Sequence, residues 1–221
     1  MELDGGVQAV YEDADLLVLK KPPGLLCVPG KGPDKQDCLS ARAQQRWPGA
    51  LVVHRLDQAT SGLVLMARNL PAQQRLGHAF AQREVRKRYA AVVRGQMGSA
   101  ESGWQLIDLP IAADWARRPL RIIDAGSGKP SLTRWRAIRH DAAADTTLVE
   151  LEPVTGRTHQ LRVHLAAIGH PILGDALYAD PAVQARSARL LLHATELSFL
   201  HPVTGAALHF TWSAEFGINW P

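Results

Sequence analysis

The sequence predicts an α+β protein built on a mixed, mainly antiparallel sheet with flanking helices. Short apolar runs of strand length, bounded by Gly, Pro, Asn, Asp and Ser, recur from Val7 to Phe210. Only three stretches show helical spacing, and they are placed unevenly, without the regular strand–helix alternation of a parallel α/β sheet.

Residues 7–11 and 16–20 read as strands around an acidic turn at 12–15. Pro22-Pro23-Gly24 then stops regular structure, because proline offers the ladder no donor. Asp37 or Ser40 is placed to cap a short helix that ends at Trp47-Pro48. An apolar run at 50–53 leads into His54-Arg55-Leu56-Asp57-Gln58-Ala59, Thr60-Ser61-Gly62 supplies turn chemistry, and a second apolar run leaves at 63–67. Asn69 caps the next helix, with Pro71 in its first turn and Ala72, Leu76, Ala79 and Phe80 at helical spacing, ending near Arg83 or Glu84.

Residues 87–95 form a strand that starts basic and ends in glycine, followed by a loop at 98–103 and an irregular, basic stretch at 108–119. Residues 131–140 and 146–154 predict a hairpin. Thr158 caps a helix over 159–168 closed by Gly169, with Leu161, Leu165 and Ile168 as its apolar stripe and Arg162 off that stripe. Runs at 190–194 and 206–210 close the sheet.

The 221 residues can bury a substantial core and are read as a single domain covering 1–221. Two cysteines exclude a disulfide scaffold or a four-thiolate metal site. His159 and His164 are five apart, outside the spacing of about four that a zinc-binding helical pair needs, so no metal is expected. No phosphate-cradling glycine motif occurs, no apolar run approaches a membrane span, and the start lacks a signal segment, which points to the cytoplasm. The net charge is +4, and basic residues gather at 83–88, 117–121 and 134–139, interleaved with some of the six tryptophans. That distribution favours a nucleic-acid partner.

Loops at strand ends are where reactive groups sit, and Arg55 and Asp57, two apart, leave an extended segment on the same side. The spacing alone equally fits a turn aspartate beside a solvated arginine. Tyr89, near the start of a basic strand, suits either half-buried packing or a face on which a base stacks.

Residues 54–62 closely resemble the signature of the RluA family of pseudouridine synthases. The resemblance extends in the family's order through Lys21-Pro22-Pro23-Gly24-Leu25, Lys87-Arg88-Tyr89, residues 156–164, residues 169–175 and Leu190-Leu191-Leu192-His193-Ala194. It implies the pseudouridine synthase catalytic fold and isomerisation of uridine to pseudouridine, by base flipping, glycosidic cleavage and reattachment through C5. Asp57, Tyr89 and Arg162 are the catalytic residues it implies. Asp57 cleaves the bond, as nucleophile or as base; Arg162 pairs with it; Tyr89 stacks on the flipped uracil. Arg55 fills the vacated space, and His54, Thr60 and either Leu191 or Leu192 line the pocket.

The loop at 114–119 and the short N-terminus look like the family's branch that modifies both rRNA and tRNA, which implies stem-loops of 23S rRNA, the tRNA anticodon stem-loop, or both. No S4-type domain has room before the first strand. RNA is thus the expected partner, with no DNA, membrane or cofactor, and a monomer is expected. A single-site enzyme of the family and a non-catalytic RNA-binding module remain the alternatives; keeping Asp57, Tyr89 and Arg162 together favours the enzyme.

Overall fold

The computed structural model describes residues 6–217. Among them the strands are β1 (Gln8–Glu12), β2 (Leu16–Lys21), β3 (Leu51–Val52), β4 (Ser61–Ala67), β5 (Arg86–Arg94) and β6 (Gln105–Asp108). They continue with β7 (Ile111–Ala113), β8 (Arg121–Ile123), β9 (Leu132–Asp141), β10 (Thr146–Pro153), β11 (Leu192–Leu200) and β12 (Ala207–Thr211). The α-helices are α1 (Leu39–Arg46), α2 (Leu70–Ala81), α3 (Gln160–Ala167) and the single turn α4 (Pro181–Gln184). Strands dominate and helices are few, the α+β class expected. No helix among the described residues is long and apolar enough to cross a membrane. The chain divides into two compact units, residues 6–87 with 194–213, and residues 88–193 with 214–217.

In the first unit the strand order is β1-β2-β4-β11, with β3 pairing β4 and β12 pairing β11. β1–β2, β2–β4, β3–β4 and β11–β12 are antiparallel. All seven residues of β4 are buried, which explains why its sequence is a continuous apolar run without polar alternation. Leu16 and Val18 of β2, Leu63 and Leu65 of β4, and Ala72 and Leu76 of α2 meet in one core. Asn69 caps α2 as expected, accepting the Ala72 N–H at 2.9 Å. α1 corrects the expectation: Cys38 is its cap, Sγ accepting from Ala41 N, while Asp37 is bound to Arg42 at 2.6 and 2.7 Å.

In the second unit the order is β5-β10-β9-β6, all antiparallel, beside a separate β7–β8 pair. The predicted hairpin is β9–β10, with a register shift between Leu148 and Val149. α3 packs against β8, β9 and β10. Its cap is His159, not Thr158: His159 adopts a left-handed conformation with φ 58°, and no side chain caps the helix. β6, β7, β8 and α4 lie outside the elements expected, because three or four residues are too few for a period to register.

Candidate active site

The segment between β3 and β4 carries Asp57, half-buried, with Arg55 exposed two residues before it. Thr60 N donates to Asp57 O at 3.1 Å, closing a turn. The expected turn at 60–62 is therefore shifted back: Ser61 and Gly62 already belong to β4, with Gly62 opposite Lys21. Gly62 has φ +127°, and a Cβ there would collide with Ala194 N and lie 2.5 Å from Ala194 O. Glycine is the residue that lets β11 backbone pass this close.

Four anchors hold the segment. Leu56 N donates to Cys27 Sγ at 3.2 Å. Gly24 N donates to Gln58 O, and Gln58 Nε2 returns a bond to Gly24 O at 3.0 Å. Leu65 N donates to His54 Nε2 at 2.9 Å, and the imidazole stacks on Phe80 with centroids 4.5 Å apart. Because Nε2 accepts a backbone N–H, His54 is neutral with its proton on Nδ1; burial, then the charge of Lys87, pushes its pKa down to about 3. His54 is thus engaged with β4, and Thr60 is buried.

The fourth anchor has no signal of its own in the sequence. Lys21 is fully buried, and its ammonium donates to Pro22 O at 2.9 Å, Gln58 O at 2.9 Å and Thr60 O at 2.7 Å. Three donors meet three carbonyls, two of them flanking the Asp57 turn. Burial lowers its pKa to about 8, while the charges of Cys27 and Asp57 act in the opposite sense. A positive charge therefore stands within electrostatic reach of Asp57. Only its place in the Lys-Pro-Pro-Gly motif could have flagged it, since buried lysines are rare.

Tyr89, Arg162, Leu191 and Leu192 lie in the second unit. Tyr89 is half-buried on β5, opposite Leu151 of β10. Leu191 and Leu192 are both buried, Leu191 exchanging backbone bonds with Leu173 and Val92. Arg162 is not a helix-surface arginine: its side chain is 4% exposed, and its partner Asp175 is 1% exposed. Asp175 accepts Nε at 2.8 Å and Nη2 at 2.6 Å, a bidentate grip, and takes the Leu177 and Tyr178 N–H groups on Oδ1. Arg162 Cζ lies 5.1 Å over the Tyr178 ring, whose hydroxyl meets His159 Nδ1 at 2.7 Å. Asp175 and Tyr178 are not among the residues the sequence nominated, though Asp175 ends the family-like stretch at 169–175.

Asp13, Asp15 and His201 bring three possible metal ligands within 4.8 Å of one another. Their atoms are engaged otherwise. Asp13 takes the Tyr11 hydroxyl, two backbone N–H groups and His201 Nε2, while His201 Nδ1 takes Val203 N and Thr204 N. The donor set is a structural clasp.

Residues 15–167 match the sequence model of a family described as RNA pseudouridylate synthase. The chain belongs to this family. It is 44% identical over 207 residues to the dual-specificity RNA pseudouridine synthase RluA of Yersinia pestis, covering 94% of this chain and 98% of that protein. Its identity to RluA of Escherichia coli K12 is also 44%, covering 94% and 93%. The solved human RNA pseudouridylate synthase domain containing 1 superposes with a TM-score of 0.78 at 31% identity, over 96% of this chain and 85% of the other. The chain is accordingly an isomerase acting on RNA uridine; of the motifs that suggested the family, 21–25 and 54–62 meet in the anchored segment, and 156–164 and 169–175 carry the Arg162–Asp175 pair.

Proposed function

We propose that this synthase isomerises uridines in stem-loops of both 23S rRNA and tRNA, in the cytoplasm, with Asp57 as the catalytic carboxylate. The observation that carries the assignment of Asp57 is the fourfold anchoring of its turn by Lys21, Cys27, His54 and Gly24, which holds a half-buried carboxylate at a fixed place. A turn aspartate with no duty beyond its own backbone needs no buried ammonium beneath it.

Arg162, held by Asp175, steadies the negative charge of that carboxylate. Tyr89 stacks on the extruded uracil, and Leu191 or Leu192 closes the apolar wall. A stacked base must leave the helix first, at a cost of a few kcal/mol. Arg55, exposed on the same turn as Asp57, fills the gap it leaves, its planar guanidinium stacking and bonding at once. His54 and Thr60 shape the rim indirectly, by fixing the turn. The N1–C1′ bond breaks with its electron pair on the uracil, C5 then bonds to C1′, the C5 proton leaves to solvent and N1 takes one up, so the isomerisation consumes no cofactor or external group donor.

The two-substrate reading is supported by the dual specificity of the RluA relatives. Pseudouridine mapping of 23S rRNA and tRNA from cells with and without the gene tests it. Sites missing from both RNAs are expected; loss from one alone assigns a single-site enzyme, and loss from neither rejects the function.

A further inference from the structure

The second unit holds a cavity of about 610 Å³ that none of the groups above occupies. Its walls include Trp115, Arg121, Ser127, Lys129, Arg157 and Thr158, three cations with hydroxyls and an indole, and no carboxylate among the described residues. The nearby acids are turned elsewhere: Asp124 binds Ser127 Oγ and the Gly126 N–H, and Asp114 binds Arg117. Arg121 Nε is buried yet has no hydrogen-bond partner among the described residues. Leaving a buried donor unmatched is costly, and a ligand oxygen would match it.

Trp115 is 73% exposed, an unusual place for the largest apolar side chain, and the Arg118 guanidinium stacks 3.9 Å from its ring centroid. The walls are pre-formed. Gln160 accepts from Thr155 Oγ1 and Arg157 N and donates to Leu132 O and Thr133 Oγ1, fixing the 155–160 loop. On the other side, β7 and β8 pair, and Arg121 N donates to the Tyr178 hydroxyl at 3.0 Å.

We propose that this cavity is a second nucleotide-binding subsite, which takes one unpaired nucleotide of the RNA away from the target uridine. Its base stacks on Trp115 and its phosphates meet Lys129, Arg157 and Arg121. Aromatic faces with flanking cations are how proteins hold unpaired RNA, and the cavity size falls in the roughly 300–1,000 Å³ range of single small-ligand sites. The inference rests on the reading of the chain as an RNA-modifying enzyme and adds to it a binding step that selects RNA without doing chemistry.

The test uses the full chain and an end-labelled twelve-residue oligouridylate, with binding read by anisotropy across a salt series. Trp115→Ala should weaken binding about 5- to 150-fold, and that loss should vanish on an abasic oligomer of equal length. The Lys129→Ala/Arg157→Ala variant should lower the salt slope by about 1.4, about 0.7 for each single-strand phosphate left without its cation. On a tRNA transcript the effect of that variant should fall on KM, not kcat. The control Lys31→Ala/Lys35→Ala removes the same charge from an exposed loop outside the cavity. Equal losses in that control, an unchanged slope in the cavity variant, or no binding of the oligomer by the parent protein overturns the proposal. Pseudouridine formation by the parent is scored separately: its absence would sink the enzymatic reading and leave the binding result standing.

Discussion

Replacing Lys21 by methionine keeps the length and apolar stem of the side chain and removes only the ammonium under the Asp57 turn. The structure sets two opposing terms. Burial lowers the Lys21 pKa from 10.5 to about 8; at about 1.4 kcal/mol per unit, holding the charge in this site costs about 3 kcal/mol, which the variant recovers. Against this, the carbonyls of Pro22, Gln58 and Thr60 lose their shared donor. Gln58 O keeps the Gly24 N–H and Pro22 lies in an exposed stretch that water reaches, so Thr60 O is the buried acceptor left unmatched, at about 1–3 kcal/mol, and the two terms nearly offset. A loosened turn also displaces the carboxylate, and a displacement of about 1 Å costs about a hundredfold in rate. Urea unfolding and single-turnover kinetics measure the two effects. The pH dependence separates them further. Because the folded pKa is depressed, the unfolded chain holds more protons between pH 8 and 10.5, so the contribution of Lys21 to stability rises with pH across that window. The neutral amine, however, has two N–H groups for three carbonyls, so turnover should fall above about pH 8 without a matching loss of stability. A methionine variant with full turnover and the same alkaline limb would refute this reasoning.

Asp175→Asn leaves Arg162 charged and buried with a neutral partner, and breaking a buried pair this way costs about 3–5 kcal/mol, measurable as a lower urea midpoint. Gly62→Ala drives a methyl into the Ala194 backbone and should cost several kcal/mol, with lower expression or melting temperature as the readout. His54 has its folded pKa at about 3, below the unfolded value of about 6.5, so its contribution to stability is present above pH 6.5 and is lost as pH falls toward 3. About 2 kcal/mol should disappear between about pH 7 and pH 5. His54→Gln, whose amide oxygen can take the place of Nε2 as acceptor for Leu65 N, should lack that share of the decline in urea titrations at the two values.

The strands and helices with a long, regular apolar signal are legible in the sequence: β2, β4, α2 and the β9–β10 hairpin follow from periodicity and caps alone. The Asp57 signature is legible as a motif. What the chain order hides are interactions across it. Lys21 reads as one more basic residue until its three carbonyls, up to 39 positions away, are seen around it. Arg162 has the spacing of a surface residue on an amphipathic helix, because nothing in residues 159–168 announces that Asp175 buries it. His159 as a left-handed cap goes against its propensity, and tertiary context, not local preference, places it there. The β7–β8 pair and the cavity beside it involve strands of three residues, too short to leave a pattern.

The most direct measurement is tritium release from a tRNA transcript labelled at uridine C5, comparing the protein with Asp57→Asn while binding of the same transcript is followed by anisotropy. Release should be abolished in the variant while the RNA is still bound. Release at the parental rate by the asparagine protein would contradict the role assigned to Asp57.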